Sequence, residues 1–318
     1  MKKTISTVLQ PLIDAVREAA ETVEPWHSFW HHRPQRDFPP RSIREIADYN
    51  GADRLALSCT QTELGAAAQK KLVKAWCEHL PSLGAVKFLW FQTRVTQELF
   101  DAACAMPNLE GLYIKWSGVR SSEALGQARQ LKYLHLGSSP SLQPLDVLGD
   151  LPRLEWLELE NIRALHDLSF LAGLGGLRGL SLTGDGNSIK PIAISNLVPL
   201  QALEQLEWLR LQTVSIEDDS LAPISRLPRL KHLLLSNRFP MAEFAKLAGS
   251  LPHVACDLFT PVSEVDSWMK CKKCKGARMV MLTGAGAPWS CTTCDSARIL
   301  RHEQAFAEIA SRARASTS

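Results

Sequence analysis

The chain contains no run approaching the eighteen or so apolar residues of a membrane span, so no transmembrane helix is expected. It also lacks a phosphate loop ending in Gly-Lys-Ser/Thr, a His-Glu-x-x-His pair, a Gly-x-Ser-x-Gly elbow and a dinucleotide fingerprint. Gly184-Asp-Gly186 is too short to count as the last, and His302-Glu303 lacks the second histidine of a zinc protease. A strong charge imbalance is missing as well: a net +3 over 318 residues is too small to suggest general nucleic-acid binding. The N-terminal Met1-Lys2-Lys3 superficially opens like a secretory signal, but Gln10, Pro11 and Asp14 break the apolar stretch and no small-residue cleavage site follows. Cys59, Cys77, Cys104 and Cys256 are scattered singly. Unpaired thiols beside a thiolate metal set favour a reducing compartment, and a cytoplasmic location is expected.

The metal set is Cys271-Lys-Lys-Cys274 and Cys291-Thr-Thr-Cys294, two pairs separated by sixteen residues. A two-residue gap lets both thiolates of a pair turn onto one ion, and two such turns complete a tetrahedral all-sulfur zinc site. Two disulfides, or an iron site of rubredoxin type, are the competing readings. Gly276 is expected to supply a positive φ that turns backbone N–H groups toward sulfur. Residues 277–283 read as a strand, 284–288 as a turn, and Trp289-Ser290 as the return to the second pair. Two knuckles joined by a hairpin resemble a zinc ribbon. Four suitable ligands are too few for a two-zinc RING module, and four thiolates leave no open position for substrate.

A second pattern fills the middle of the chain. Leu-x-x-Leu-x-Leu or a close variant begins at Leu109, Leu131, Leu154, Leu177, Leu206 and Leu230, at spacings of 22, 23, 23, 29 and 24 residues. Between these blocks, apolar residues step by three (Leu145, Leu148, Leu151; Leu168, Leu171, Leu174; Leu197, Leu200, Leu203; Leu221, Ile224, Leu227), which suits a 3₁₀-like return because side chains at i and i+3 eclipse. Such a period is the mark of a solenoid. The array resembles the short, roughly 22-residue class of leucine-rich repeats found in bacterial internalins. That resemblance implies an α/β leucine-rich-repeat horseshoe with a parallel concave sheet. The Asn ladder of that class is missing: Ser117, Ser139, Ile162, Asp185, Val214 and Arg238 stand in its place, with Asn161 and Asn237 one position early.

The expected organisation is an N-terminal helical and aromatic/His-rich cap over 1–50, the solenoid over 51–260, and the zinc-ribbon-like module with a C-terminal helix over 261–318. Residues 52–57 read as a degenerate first strand and 254–259 as a degenerate last one, making nine strands. Residues 62–80, 96–105 and 121–130 read as helices, and 7–23 as an amphipathic helix. In residues 83–92 the repeat spacing places Leu89 and Phe91 inward and Phe88 and Trp90 outward, whereas the Leu80-Pro-x-Leu83 lead-in favours the opposite register, a slip that exchanges the faces. Residues 183–191 read as a protruding loop, more simply an insertion than a site. His27, His31 and His32 lie in an aromatic segment, Pro25–Pro34, better read as a linker than as a second metal site.

Strand side chains alternate, so the residues between the leucines face the concave surface. They include Trp90, Tyr113, Tyr133, His135, Trp156, Glu158, Trp208 and Arg210, the candidate partner-binding set, with two of only three tyrosines among them. Trp, Tyr and Arg dominate binding hot spots. The expected function is non-catalytic protein–protein recognition by an adaptor or inhibitor with one structural zinc. The Trp26–Trp30 segment covering these rings itself is the alternative use of the face. Residues 263–318 carry nine Lys/Arg against five Asp/Glu, so a nucleic-acid-associated role for the ribbon is the second functional class. A normal solvated surface offsetting the thiolates is its bland counterpart.

Overall fold

A computed structural model describes residues 39–185, 190–264, 270–276 and 278–317. The expected helix over 7–23, the Pro25–Pro34 segment with its three histidines, and the tip of the 183–191 loop lie outside the described residues. Eight strands order as β1 (Arg54–Leu57), β2 (Phe88–Phe91), β3 (Gly111–Ile114), β4 (Tyr133–Leu136), β5 (Trp156–Glu160), β6 (Gly179–Thr183), β8 (Trp208–Gln212) and β10 (His232–Leu235) in one parallel sheet. The strands and their returns form a leucine-rich-repeat solenoid. The described residues divide into two compact units, 39–139 with 151–158 and 140–150 with 159–317.

In the first unit the register pairs Leu55, Leu89, Leu112 and Leu134 across β1–β4, and Leu57, Phe91, Ile114 and Leu136 beside them. All eight are at most 3% exposed. The repeat spacing therefore reads the β2 register correctly, because each inward side chain must stack on the one before it. Two true helices return the chain: α1 (Ala66–His79), which buries Leu72 and Trp76 and stops at Leu80-Pro81, and α2 (Gln97–Cys104), whose Thr96 side chain accepts from the Leu99 amide. The third expected helix is a correction. Residues 123–127 form a 3₁₀ turn instead, since Gly126 interrupts the stretch and Leu125, Ala128 and Leu131 step by three.

The missing Asn ladder is replaced here by hydroxyls. Thr60 Oγ1 meets Thr93 Oγ1 at 2.8 Å and donates to the Arg94 carbonyl, and Ser117 Oγ meets Ser139 Oγ at 2.6 Å, with Ser139 donating to Gly137 O. A hydroxyl both donates and accepts, so it satisfies turn groups that an amide would otherwise serve.

In the second unit, Leu180, Leu209 and Leu233 align, as do Leu182, Leu211 and Leu235. The period-three returns are 3₁₀ turns at 146–150, 169–173, 198–202 and 222–226, as the spacing predicts. Glycine permits their stacking: a Cβ on Gly173 would lie 2.2 Å from the Gly149 carbonyl oxygen. The 29-residue repeat adds a short parallel pair, β7 (Ile192–Ile194) with β9 (Val214–Ile216). The expected last strand is also corrected. Residues 254–259 form one bridge, Ala255 with His232, and then a 3₁₀ turn at Asp257–Phe259. Before it comes a helix the sequence reading did not anticipate, α3 (Met241–Ser250), which buries Phe244 and Leu247.

A charge ladder runs beside the strands. The residue before each strand of the eight-stranded sheet is Asp53, Lys87, Glu110, Lys132, Glu155, Arg178, Glu207 and Lys231, alternating in sign. Glu110 lies 3.4 Å from Lys87 and 3.0 Å from Lys132, and Glu207 lies 3.0 Å from Arg178 and 2.8 Å from Lys231. These neighbours hold both carboxyls below the usual carboxylate range, Lys132 and Lys231 foremost. Each pair is worth only about 0.2–1 kcal/mol. A slip of one repeat would oppose like charges, so the ladder also selects strand order.

Candidate recognition face and metal centre

The sheet face turned away from the leucine spine carries the candidate partner-binding residues. In the first unit the register sets Ala56, Trp90, Tyr113 and His135 in one row, and Arg54, Phe88, Gly111 and Tyr133 in the next. Gly111 has no side chain, so the rings of Phe88 and Tyr133 close over it, with centroids 6.1 Å apart and planes 25° apart. Tyr113 stacks on His135 at 4.4 Å and 17°. Glu158 ties the cluster together: its Oε2 lies 2.9 Å from His135 Nδ1 and its Oε1 accepts from Trp156 Nε1 at 2.9 Å.

Rings broadly facing water are not what this arrangement gives. Trp90 is 1% exposed, Tyr113 8%, His135 6% and Glu158 5%, while Phe88, Tyr133 and Trp156 are half-buried around them. The reason is distance. Strands about 4.8 Å apart bring rings from neighbouring repeats within stacking reach, and an aromatic row packs on itself as a second core. In the second unit, Trp208 is 1% exposed, with Gly179 and His232 as its strand neighbours. Half-buried Arg210 donates from Nε to Gln212 Oε1 at 2.8 Å.

The candidate metal ligands flank a three-stranded antiparallel sheet, β11 (Val262–Glu264), β12 (Met279–Leu282) and β13 (Trp289–Cys291). The β12–β13 hairpin follows the sequence reading, and β11 is additional. The sulfurs of Cys271, Cys274, Cys291 and Cys294 all lie within 4.8 Å of one another. Two cross-pair separations are 3.9 Å (Cys271–Cys294) and 3.6 Å (Cys274–Cys291). A tetrahedral zinc with bonds of about 2.3 Å sets its sulfurs about 3.8 Å apart, whereas a disulfide needs about 2.04 Å. These separations fit one metal ion held tetrahedrally by four thiolates better than they fit two disulfides.

Local backbone serves the same end. The Cys274 and Lys273 amides hold the Cys271 thiol below its ordinary range, while contact with the Cys274 thiol pushes Cys294 up to about 12. A bound cation would offset the opposition that the Cys294 thiol meets from its neighbours. The Cys294 amide points to Cys291 Sγ at 3.3 Å. The positive φ falls at Lys275 (55°), one residue before the expected Gly276.

One side chain contributes two of the bonds that join this sheet to the end of the repeats. Asn237 donates from Nδ2 to Leu282 O at 3.0 Å and accepts from the Gly284 amide at 2.6 Å, as a backbone strand would. The Ala285 amide bonds to Phe239 O at 2.8 Å. The final helix, α4 (Ser296–Thr317), lies against α3, and a Cβ on Gly249 would stand 2.1 Å from Ala310 O. Asn237 lies one place off the expected Asn ladder, and that irregularity is its only sequence signal.

No protein-family model and no curated protein matches the sequence. Among solved structures the chain is similar to internalin C2 of Listeria monocytogenes, at 21% identity and TM-score 0.44 over 58% of this chain and 80% of that one. A second internalin of that species matches at 17% identity and TM-score 0.30, over 55% and 74%. A leucine-rich-repeat protein of Leptospira interrogans matches at 16% identity and TM-score 0.41, over 68% and 69%. The leucine spine and strand register identify the fold independently of these likenesses. No helix among the described residues is long and apolar enough to cross a membrane.

Proposed function

We propose that the chain is a non-catalytic protein-recognition module that docks its partner on the sheet face turned away from the leucine spine. The observation that carries this reading is the aromatic and polar cluster of the first unit. Buried Trp90, Tyr113, His135 and Glu158 form a rigid floor, and the accessible edges of Phe88, Tyr133 and Trp156 rise from it. Rigid rings lose little entropy on binding. In this reading Tyr133 and Trp156 make the contact, while Trp90, Tyr113, His135 and Glu158 position them. In the second unit, taken by itself, half-buried Arg210 would orient a carboxylate, and buried Trp208 has a positioning role.

A zinc ion held by Cys271, Cys274, Cys291 and Cys294 would be structural, since four thiolates leave no open coordination position. The remaining thiols are poor nucleophiles: burial pushes Cys59 up to about 12, and Cys77 and Cys256 up to about 11. Reduced single cysteines beside a thiolate site suit a cytoplasmic protein.

A Tyr133→Ala/Trp156→Ala variant tests the face better than any change at Trp208, whose truncation would cost about 3–5 kcal/mol of stability. Captured from native lysate, the intact chain should retain a protein that the doubly substituted chain, with unchanged circular dichroism, loses. Equal recovery by both would remove the support for this face.

A further inference from the structure

The small antiparallel sheet has two unlike faces. Val280, Leu282 and Ser290 are 7%, 2% and 0% exposed and point inward. Met279, Met281 and Trp289 alternate onto the other side, and the register sets Met281 opposite Trp289. Trp289 is 45% exposed, one of three large hydrophobic side chains so exposed among the described residues. Two residues along β13, about 7 Å away at strand rise, Cys291 opens the second knuckle.

The first knuckle surrounds its cysteines with Lys270, Lys272, Lys273 and Lys275, all exposed. None of these four forms an ion pair among the described residues, whereas Arg278 is matched by Glu264 at 3.3 Å. A zinc tetrathiolate carries two negative charges, and four lysines more than offset it. A surface ring two residues from the second knuckle, whose sulfurs lie within 4.8 Å of those of the lysine-flanked first knuckle, has a specific chemical complement: a polyanion that also carries flat faces. Phosphates answer the lysines, and bases answer the indole. An acidic peptide would satisfy the charge and leave Trp289 unused.

We propose that this face of the zinc-binding sheet binds single-stranded nucleic acid, with Lys272 and Lys273 on the backbone and Trp289 stacked on a base. The proposal is independent of partner docking on the repeat sheet, and the two can fail separately.

The test is fluorescence anisotropy of the zinc-loaded full chain with a labelled oligothymidylate of about sixteen nucleotides, an upper site size for one small domain. Affinity should fall at least about tenfold between roughly 50 and 200 mM salt. Lys272→Glu/Lys273→Glu should weaken binding about tenfold or more and flatten that salt dependence. Trp289→Ala should weaken it about fivefold to a hundredfold at fixed salt. All three positions are exposed, so zinc content and circular dichroism should be unchanged. Absence of binding at the lower salt would overturn the proposal, as would lysine variants that bind normally. Loss of affinity on lysine replacement with none on Trp289→Ala, and equal binding of a poly-glutamate peptide, would overturn it in favour of an acidic protein partner.

Discussion

Stripping the metal should unfold the C-terminal sheet and loosen the end of the repeat array. The sheet has three strands of three or four residues, and its described apolar core is little more than Val280 and Leu282. A core of that size cannot offset the conformational entropy of the segment. Zinc binding to comparable small modules supplies about 10–16 kcal/mol near neutral pH, so an ion bound here would dominate. Hydrogen exchange should show protection lost across 262–264, 279–282 and 289–291 on chelation. The loss should extend into α3 through Asn237, whose two side-chain bonds disappear with the 282–284 backbone. Cys271→Ser/Cys291→Ser should reproduce that pattern without chelator, and the intact chain should release one zinc on thiol modification. A chain that holds no metal, or whose protection is unchanged by chelation, would contradict the structural zinc.

Glu158→Ala should destabilise the first unit by about 3 kcal/mol, the order expected when two buried polar groups lose their hydrogen-bond acceptor. The carboxylate is 5% exposed and serves two groups, His135 Nδ1 and Trp156 Nε1. Truncation leaves both without this acceptor in a site sealed by the Tyr113 ring. Glu158→Gln keeps one amide oxygen for Trp156 and should cost less than half as much, by roughly one hydrogen bond of about 1–1.5 kcal/mol. Urea denaturation followed by tryptophan fluorescence separates the two. Equal, small effects would mean that the cluster does not depend on Glu158.

The spine, the β2 register, the 3₁₀ returns and the cysteine set were legible because each rests on strict spacing. Leu89, Leu112 and Leu134 must stack, and the two-residue gap brings the Cys271 and Cys274 sulfurs into one cluster. What escaped depends on partners distant in sequence. The helix at 241–250 starts after Pro240 with Glu243 in its first turn, signals that the repeat period obscured. The strand at 262–264 exists only because β12 offers it an edge. Gly276 looked like the residue for a positive φ, yet Lys275 takes it, its amide bonded to Cys271 O at 2.8 Å. The alternating charges from Lys87 to Lys231 were visible in the sequence and gain meaning only once the strands are adjacent. The aromatic row was placed on the correct face but with the wrong exposure. Alternation gives direction, whereas burial depends on whether neighbouring rings meet, and at Gly111 that turned on an absent side chain.

The recognition face is tested most directly by placing a photo-crosslinking phenylalanine analogue at Trp156 in the zinc-loaded chain and irradiating it in native lysate. The same analogue at Val198, an apolar position 56% exposed in the second unit, serves as the comparison. Docking through the aromatic cluster predicts one discrete adduct from position 156, abolished by Tyr133→Ala, and none of that mass from position 198. No adduct at 156, or the same adduct from both positions, would contradict it.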